Sequence, residues 1–148
     1  MKIAIGCDHG AFEYKEIIKE MLTEEGHDVL DCGTHSQESC DYPVYGKAVA
    51  EAVAQKQADK GIVICGTGIG ISIAANKVKG IRCSLCTDVT MARLTREHND
   101  SNVLAMGARI IGIEVAKDIV HTYLETPFSN GPRHVKRLEM IGEIEEEN

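Results

Sequence analysis

Tryptophan is absent from the 148-residue sequence, and phenylalanine and tyrosine together make up only 4% of it. With a formal net charge of −7, the chain has neither the basic excess nor the stacking rings of a nucleic-acid surface. An acidic surface around a local basic site still suits a small anionic substrate. No apolar run approaches the roughly 18 residues of a membrane span, and Met1-Lys2-Ile3-Ala4-Ile5-Gly6 enters a strand pattern without a charged-then-apolar leader. A soluble, cytoplasmic protein without membrane or nucleic-acid partners is therefore expected. There is no internal repeat and no linker, so residues 1–148 are read as one domain, long enough to bury roughly 68–70% of its unfolded surface.

Six cysteines are present, and in an unexported chain they are expected as free thiols rather than a disulfide framework. Cys83-x-x-Cys86 has a spacing that metal and redox sites use. It lies in an apolar, strand-like segment, where residues three apart point to opposite faces, so two small core residues are the simpler expectation.

The chain is organised around Gly61 to Asn76. Ile62, Val63 and Ile64 are continuous and β-branched, as in a strand buried on both faces of a parallel sheet. Glycines then alternate at Gly66, Gly68 and Gly70, and a helix is expected from Ile71 to Lys77. Such glycines let backbone N–H groups approach a ligand closely, with a helix N-terminus behind them to favour an anion. Cys65, at the last strand position, meets the same positive helix end, which favours thiolate over thiol and makes it a candidate base or nucleophile.

The remaining elements follow from periodicity. Strands are expected at Lys2–Cys7, Val29-Leu30, Ile81–Cys86 and Val103–Met106, besides Gly61–Cys65. Helices are expected over Ala11–Glu25; from Asp41-Tyr42-Pro43 onward; from a Thr87-Asp88 cap to Arg96–Asp100, with Met91 and Leu94 inward; through Ile113 to Leu124; and from about Arg133. The acidic tail Glu143–Asn148 is expected to fray. Strands alternating with helices give a three-layer α/β/α sandwich on a five-stranded parallel sheet, Rossmann-like. Loops after the strands share one sheet edge, which brings together Asp8, His9, Cys65 to Gly70, and Arg109.

Each candidate has a plain structural role beside the chemical one. Asp8-His9 can be a helix cap and a loop histidine, or can bind hydroxyls and a phosphate. His98-Asn99 suits a helix C-terminus, where histidine complements the dipole and asparagine tolerates the left-handed conformation. Arg133 and Arg137 lie four apart on one helix face, either solvated or as a two-pronged phosphate clamp. Asp88, after the next strand, stands where the ribose-binding acid of a dinucleotide fingerprint would. The third glycine, however, comes one position early and the loop follows the third strand. A non-catalytic nucleotide-binding module is thus the distant alternative, and no nucleoside-triphosphate P-loop motif exists.

Gly-Cys-Asp-His at 6–9, Asp-Tyr-Pro at 41–43, Cys-Gly-Thr-Gly-x-Gly-x-Ser-x-Ala-Ala-Asn-Lys at 65–77, Arg-x-His-Asn-Asp at 96–100, and Arg133 with Arg137 closely resemble type B ribose-5-phosphate isomerases. The resemblance spans essentially the whole chain, and it extends to allose-6-phosphate and galactose-6-phosphate isomerases. It implies an aldose–ketose isomerisation through an enediolate, without metal or cofactor. Cys65 is then the base, and Ile71, where another branch carries a glutamate, places the chain in the cysteine branch. His98 is the ring-opening acid, assisted at the hydroxyls by Asp8. The N–H groups of Gly66, Thr67, Gly68, Ile69 and Gly70, with Asn99, hold the enediolate oxygen, and Thr67 aids proton traffic. His9, Arg109, Arg133 and Arg137 grip the phosphate, and Tyr42 lines the pocket. The acid and all three arginines are expected to serve the edge that carries Cys65, and the resemblance implies a homodimer or a dimer of dimers with shared sites.

Overall fold

The computed structural model describes residues 1–148. Five strands, β1 (Lys2–Cys7), β2 (Asp28–Asp31), β3 (Lys60–Cys65), β4 (Cys83–Leu85) and β5 (Val103–Gly107), alternate with helices. These are α1 (Phe12–Glu24), α2 (Tyr42–Ala54), α3 (Ile69–Asn76), α4 (Val89–Asn99), α5 (Ile113–Glu125) and α6 (Pro132–Glu146). All strand pairs are parallel, in the order β2-β1-β3-β5-β4, so the expected Rossmann-like α/β/α sandwich is the fold found.

Right-handed crossovers decide which helix covers which face. The chain moves from β1 outward to β2, then back across β1 to β3, so α1 and α2 fall on opposite faces. One core holds Ile3, Ile5, Ile62, Ile64, Leu104 and Met106 beneath α1, α4 and α5. The alternate strand residues Ala4, Val63, Cys65, Val103 and Ala105 face α2 and α3. The period-2 alternation of a strand thereby aims Cys65 into the α2/α3 layer. The strand order reverses between β1 and β3, and the loops leaving those two strands flank the crevice where ligands bind in open parallel sheets.

Several boundaries differ from the sequence expectation. α1 is preceded by a short 3-10 turn, His9–Ala11, capped by Asp8. α3 starts at Ile69, two residues early, because Gly68 takes the left-handed conformation (φ 79°) that ends the loop. β4 keeps only Cys83–Leu85, since the Arg82 N–H turns to the Asn102 side chain at 2.8 Å. Met91 is exposed rather than inward, and Ala92, Thr95 and Arg96 form the buried stripe of α4. α6 runs through the acidic tail to Glu146.

A buried ion pair fixes the β2 end of the crevice. Lys15 on α1 is fully buried, and its ammonium donates to both Asp31 carboxylate oxygens at 2.8 and 2.9 Å and to the Thr34 carbonyl at 2.6 Å. Thr34 in turn pairs with Cys7, its N–H reaching the Cys7 carbonyl at 2.9 Å, next to Asp8. Burial alone pushes the Asp31 carboxyl up, but Lys15, the Gly33 N–H and Lys19 outweigh it and hold the group at about 2. A depressed carboxylate stabilises the fold fully above its ordinary value of 3.8 and loses that contribution as pH falls through about 2. Asp31→Asn, which leaves Lys15 buried with only the more exposed Glu16 carboxylate at 3.5 Å as counter-charge, is expected to cost about 3 kcal/mol in urea unfolding at neutral pH. At pH 2 that gap should narrow by about 2 kcal/mol, as Asp31 takes up its proton in the parent.

Candidate active site

β3 delivers Cys65 to the carboxyl edge of the sheet almost fully buried, at 4% exposure. Its sulfur accepts the Gly68 N–H at 3.2 Å. The other thiols are used differently. Burial pushes Cys7, Cys83 and Cys86 up to about 12, and Cys32 and Cys86 donate their S–H to the Leu30 and Ser84 carbonyls. Cys83 packs against one core and Cys86 belongs to the other, the opposite-face arrangement expected of strand residues three apart.

The glycine loop is shaped by contacts that allow no side chains. A Cβ on Gly68 would lie 2.6 Å from Leu85 Cδ1 and 2.7 Å from the Met106 carbonyl carbon, and one on Gly70 would lie 2.5 Å from Tyr42 Cζ. The Tyr42 ring is thus laid across the first turn of α3. The loop N–H groups divide into two sets. Gly68 donates to Cys65, and Ile69 donates to Thr67 Oγ1 at 3.2 Å; these two were expected to face an oxyanion and are already committed. The N–H groups of Gly66, Thr67, Gly70 and Ile71 have no acceptor within the protomer, so they form the available anion cradle at the helix start.

The β1 and β5 loops close the sides. Asp8 caps the 3-10 turn, its Oδ1 accepting the Gly10 N–H at 3.1 Å, while its second carboxylate oxygen stays unengaged. His9 Nδ1 accepts the Cys40 N–H at 3.1 Å, which leaves Nε2 as the ring's donor. The Arg109 N–H bonds the Gly66 carbonyl at 2.9 Å. The Arg109 side-chain stem lies 3.0 Å from where a Gly66 Cβ would stand. Asp8, His9, Tyr42, Cys65, Gly66, Thr67, Gly68, Ile69, Gly70 and Arg109 therefore form one cluster.

His98, Asn99, Arg133 and Arg137 do not join it, contrary to the expectation of a single edge. α4 starts after β4 and runs back antiparallel to the strands, so its last turn arrives at the amino edge. There the Asn99 carbonyl accepts from Arg82 Nε at 2.8 Å and the Asn102 carbonyl accepts the Gly61 N–H. Cys65 pairs with Gly107 and Gly61 with Val103, a separation of about 13 Å at roughly 3.3 Å per residue. α4 ends at Asn99, and Asp100 rather than Asn99 takes the left-handed conformation (φ 43°). The Asn99 side chain accepts from Thr95 Oγ1 at 3.2 Å. α6 starts beside this end, and His134 stacks on His98 with ring centroids 4.4 Å apart and planes inclined by 10°. Sequence reasoning passed over His134, although it lies between the two arginines singled out on the same helix.

The candidate residues thus fall into two groups. One holds Cys65, the free loop N–H groups and the Asp8-His9 pair; the other holds a histidine pair with two arginines.

Known proteins resemble this chain over nearly its whole length. The family model described as Ribose/Galactose Isomerase matches residues 3–141. The chain is 52% identical to ribose-5-phosphate isomerase B of Escherichia coli over 145 residues, 98% of this chain and 97% of that one. It is 44% identical to galactose-6-phosphate isomerase subunit LacB of Clostridium acetobutylicum over 97% of this chain and 83% of that one. Among solved structures, ribose-5-phosphate isomerase B of Clostridium thermocellum superposes with a TM-score of 0.98 at 55% identity, covering 99% of each chain. With fold and sequence in agreement along its length, the chain belongs to the ribose/galactose isomerase family.

Proposed function

We propose that this chain interconverts ribose 5-phosphate and ribulose 5-phosphate in the cytoplasm, as one sugar-phosphate isomerase domain. The observation that carries this reading is Cys65 Sγ held by the Gly68 N–H at 3.2 Å beside four unused loop N–H groups. That is a base placed next to a cradle for the oxyanion that deprotonation creates.

The steps follow from those groups. His98 gives a proton to the ring oxygen as the C1–O bond breaks, and the C1 hydroxyl proton passes to the free oxygen of Asp8, leaving an aldehyde. The Cys65 thiolate takes the C2 proton, and the electron pair moves through C1 to the carbonyl oxygen. The free N–H groups of Gly66, Thr67 and Gly70 hold that charge, each such donor being worth roughly 10²–10³ in rate. The O2 proton moves to O1 by way of Thr67, C2 becomes the ketone, and the thiol returns its proton to C1. Asn99 faces the enediolate. His9 Nε2–H, Arg109, Arg133 and Arg137 bind the phosphate, and Tyr42 walls the pocket, so that C1 and C2 are held beside the sulfur.

Because the half-sites lie at opposite sheet edges, one copy cannot assemble them. A second copy related by a two-fold axis presents its His98, Asn99, Arg133 and Arg137 to the Cys65 edge of the first, and receives the same in return. Exposed apolar side chains support that contact: Val44, Ile69 and Ile73 beside the glycine loop, and Met140, Ile141 and Ile144 on α6. α6 has no buried residue in the protomer, although 15-residue helices generally stay ordered by burying one face. A homodimer, or a dimer of such dimers, follows. Six free thiols fit a reducing compartment, and no helix is long and apolar enough to cross a membrane.

Assaying purified protein for ribose 5-phosphate to ribulose 5-phosphate conversion tests the reading directly, and saturable NAD or ATP binding without conversion would replace it. The LacB relative favours a second sugar, so kcat/KM should also be compared on allose 6-phosphate and galactose 6-phosphate. Arg137→Ala is expected to raise KM for ribose 5-phosphate about ten- to a hundredfold, with a smaller change in kcat. An unchanged KM would remove Arg137 from the phosphate site.

A further inference from the structure

We infer that His134 is the positioning residue for His98, its ring acting as the stacking platform that aims the ring-opening acid; this rests on the isomerase reading above. Catalytic histidines are usually oriented by a hydrogen bond from one ring nitrogen to a carboxylate or carbonyl. Within the protomer His98 makes no such bond, and its neighbours Glu97 and Asp100 are turned to Arg93 and to Arg96. What its ring meets is His134, face to face, at 4.4 Å and 10°.

The segment between α5 and α6 brings the two rings together. Arg96 Nε donates to the Thr126 carbonyl at 3.1 Å, and the Ser129 N–H donates to the Glu97 carbonyl at 3.2 Å, pinning residues 126–129 to the last turn of α4. The Ser129 hydroxyl accepts the Gly131 N–H at 3.2 Å, and α6 then starts at Pro132. Gly131 sits close beneath the second ring, since a Cβ there would lie 3.1 Å from His134 Cδ2. The segment therefore delivers His134 to the helix that carries His98. Desolvation, then the charges of His98, Arg137 and Arg133, lower the titration of His134, so at neutral pH it offers an uncharged π face. A protonated imidazole packs favourably on such a face, whereas a second cation would repel it. The same ring is flanked on α6 by both phosphate-binding arginines, so substrate capture and acid placement share one helix turn.

Ring opening can be separated from proton transfer. Ribose 5-phosphate is a furanose and needs His98, whereas ribulose 5-phosphate is open-chain and reaches the enediolate without ring opening. His134→Ala should lower kcat on ribose 5-phosphate about ten- to a hundredfold. Consumption of ribulose 5-phosphate in a single turnover with enzyme in excess should stay within about threefold of the parent. His134→Phe, which keeps a flat face without a ring nitrogen, should return the forward kcat to within about threefold of the parent. An unchanged forward kcat in His134→Ala, an equal fall in both directions, or no rescue by phenylalanine would each overturn the stacking role. Absence of isomerisation in the unsubstituted protein would instead reject the isomerase reading.

Discussion

Cys65→Ala is expected to lower kcat for ribose 5-phosphate by about 10²–10⁴, the span that a positioned general base contributes. The residual rate comes from the free loop N–H groups and the phosphate grip, which survive the substitution. Folding should survive as well, because the change deletes one sulfur from a core otherwise built of Val49, Val63, Ile71 and their neighbours. A shift of a few degrees in Tm is the expected limit. KM should change little, since the proposed mechanism sets the sulfur against the reacting carbons rather than the phosphate. Cys83→Ala is the matched control. That thiol is partly buried, held up to about 12 by its surroundings, and lies on β4 away from the glycine loop, so its loss should affect stability and leave kcat near that of the parent. Near-normal turnover in Cys65→Ala would remove the thiol from the chemistry and shift attention to Asp8.

Much of this was legible in residues alone, and the reason is local. Ile62 to Ile64 followed by Gly66, Gly68 and Gly70 can do little except end a buried strand in a tight turn, so the position of Cys65 required no tertiary information. The cap at Asp8, the Pro43 start of α2 and the alternation of Ile3 and Ile5 are equally short-range. Errors arose where longer-range packing decides. β4 lost Ile81 and Arg82 because Asn102, twenty residues on, competes for the Arg82 N–H. Met91 faces outward because the helix rotates to bury Ala92 and Arg96 against α5 and the Thr126 turn. Ile69 joined the helix because Gly68 absorbs the turn.

The placement of His98 is the instructive case. The motif Arg-x-His-Asn-Asp names the residues and says nothing of where they stand. A helix that follows one parallel strand must run back to the start of the next, so the last turn of α4 has to lie at the amino edge, far from the end of β3. That argument was available from the βαβ pattern and would have split the site before any coordinates. His134 carried a weaker signal, one position along from Arg133, and stacking with His98 only becomes visible once the Thr126–Gly131 turn is traced.

The split site also makes the second large prediction, which concerns complementation. Cys65→Ala and His98→Ala homodimers should each be nearly inactive, because every site in them lacks either the base or the acid. In a hybrid carrying one subunit of each kind, two-fold symmetry sorts the lesions unequally. One site receives both substitutions, and the other receives intact Cys65 from one subunit and intact His98 from the other. The hybrid should therefore recover activity although both parents are nearly inactive, a gain of roughly two orders of magnitude or more over either homodimer.

Co-expressing the two variants with different affinity tags, isolating the doubly tagged hybrid and measuring kcat on ribose 5-phosphate is the most direct test of the shared site. The account predicts about half the turnover of the unsubstituted protein per dimer, one working site of two. A hybrid no more active than the two homodimers would show that Cys65 and His98 act within one chain, and would contradict the assembly proposed from their positions at opposite edges of the sheet.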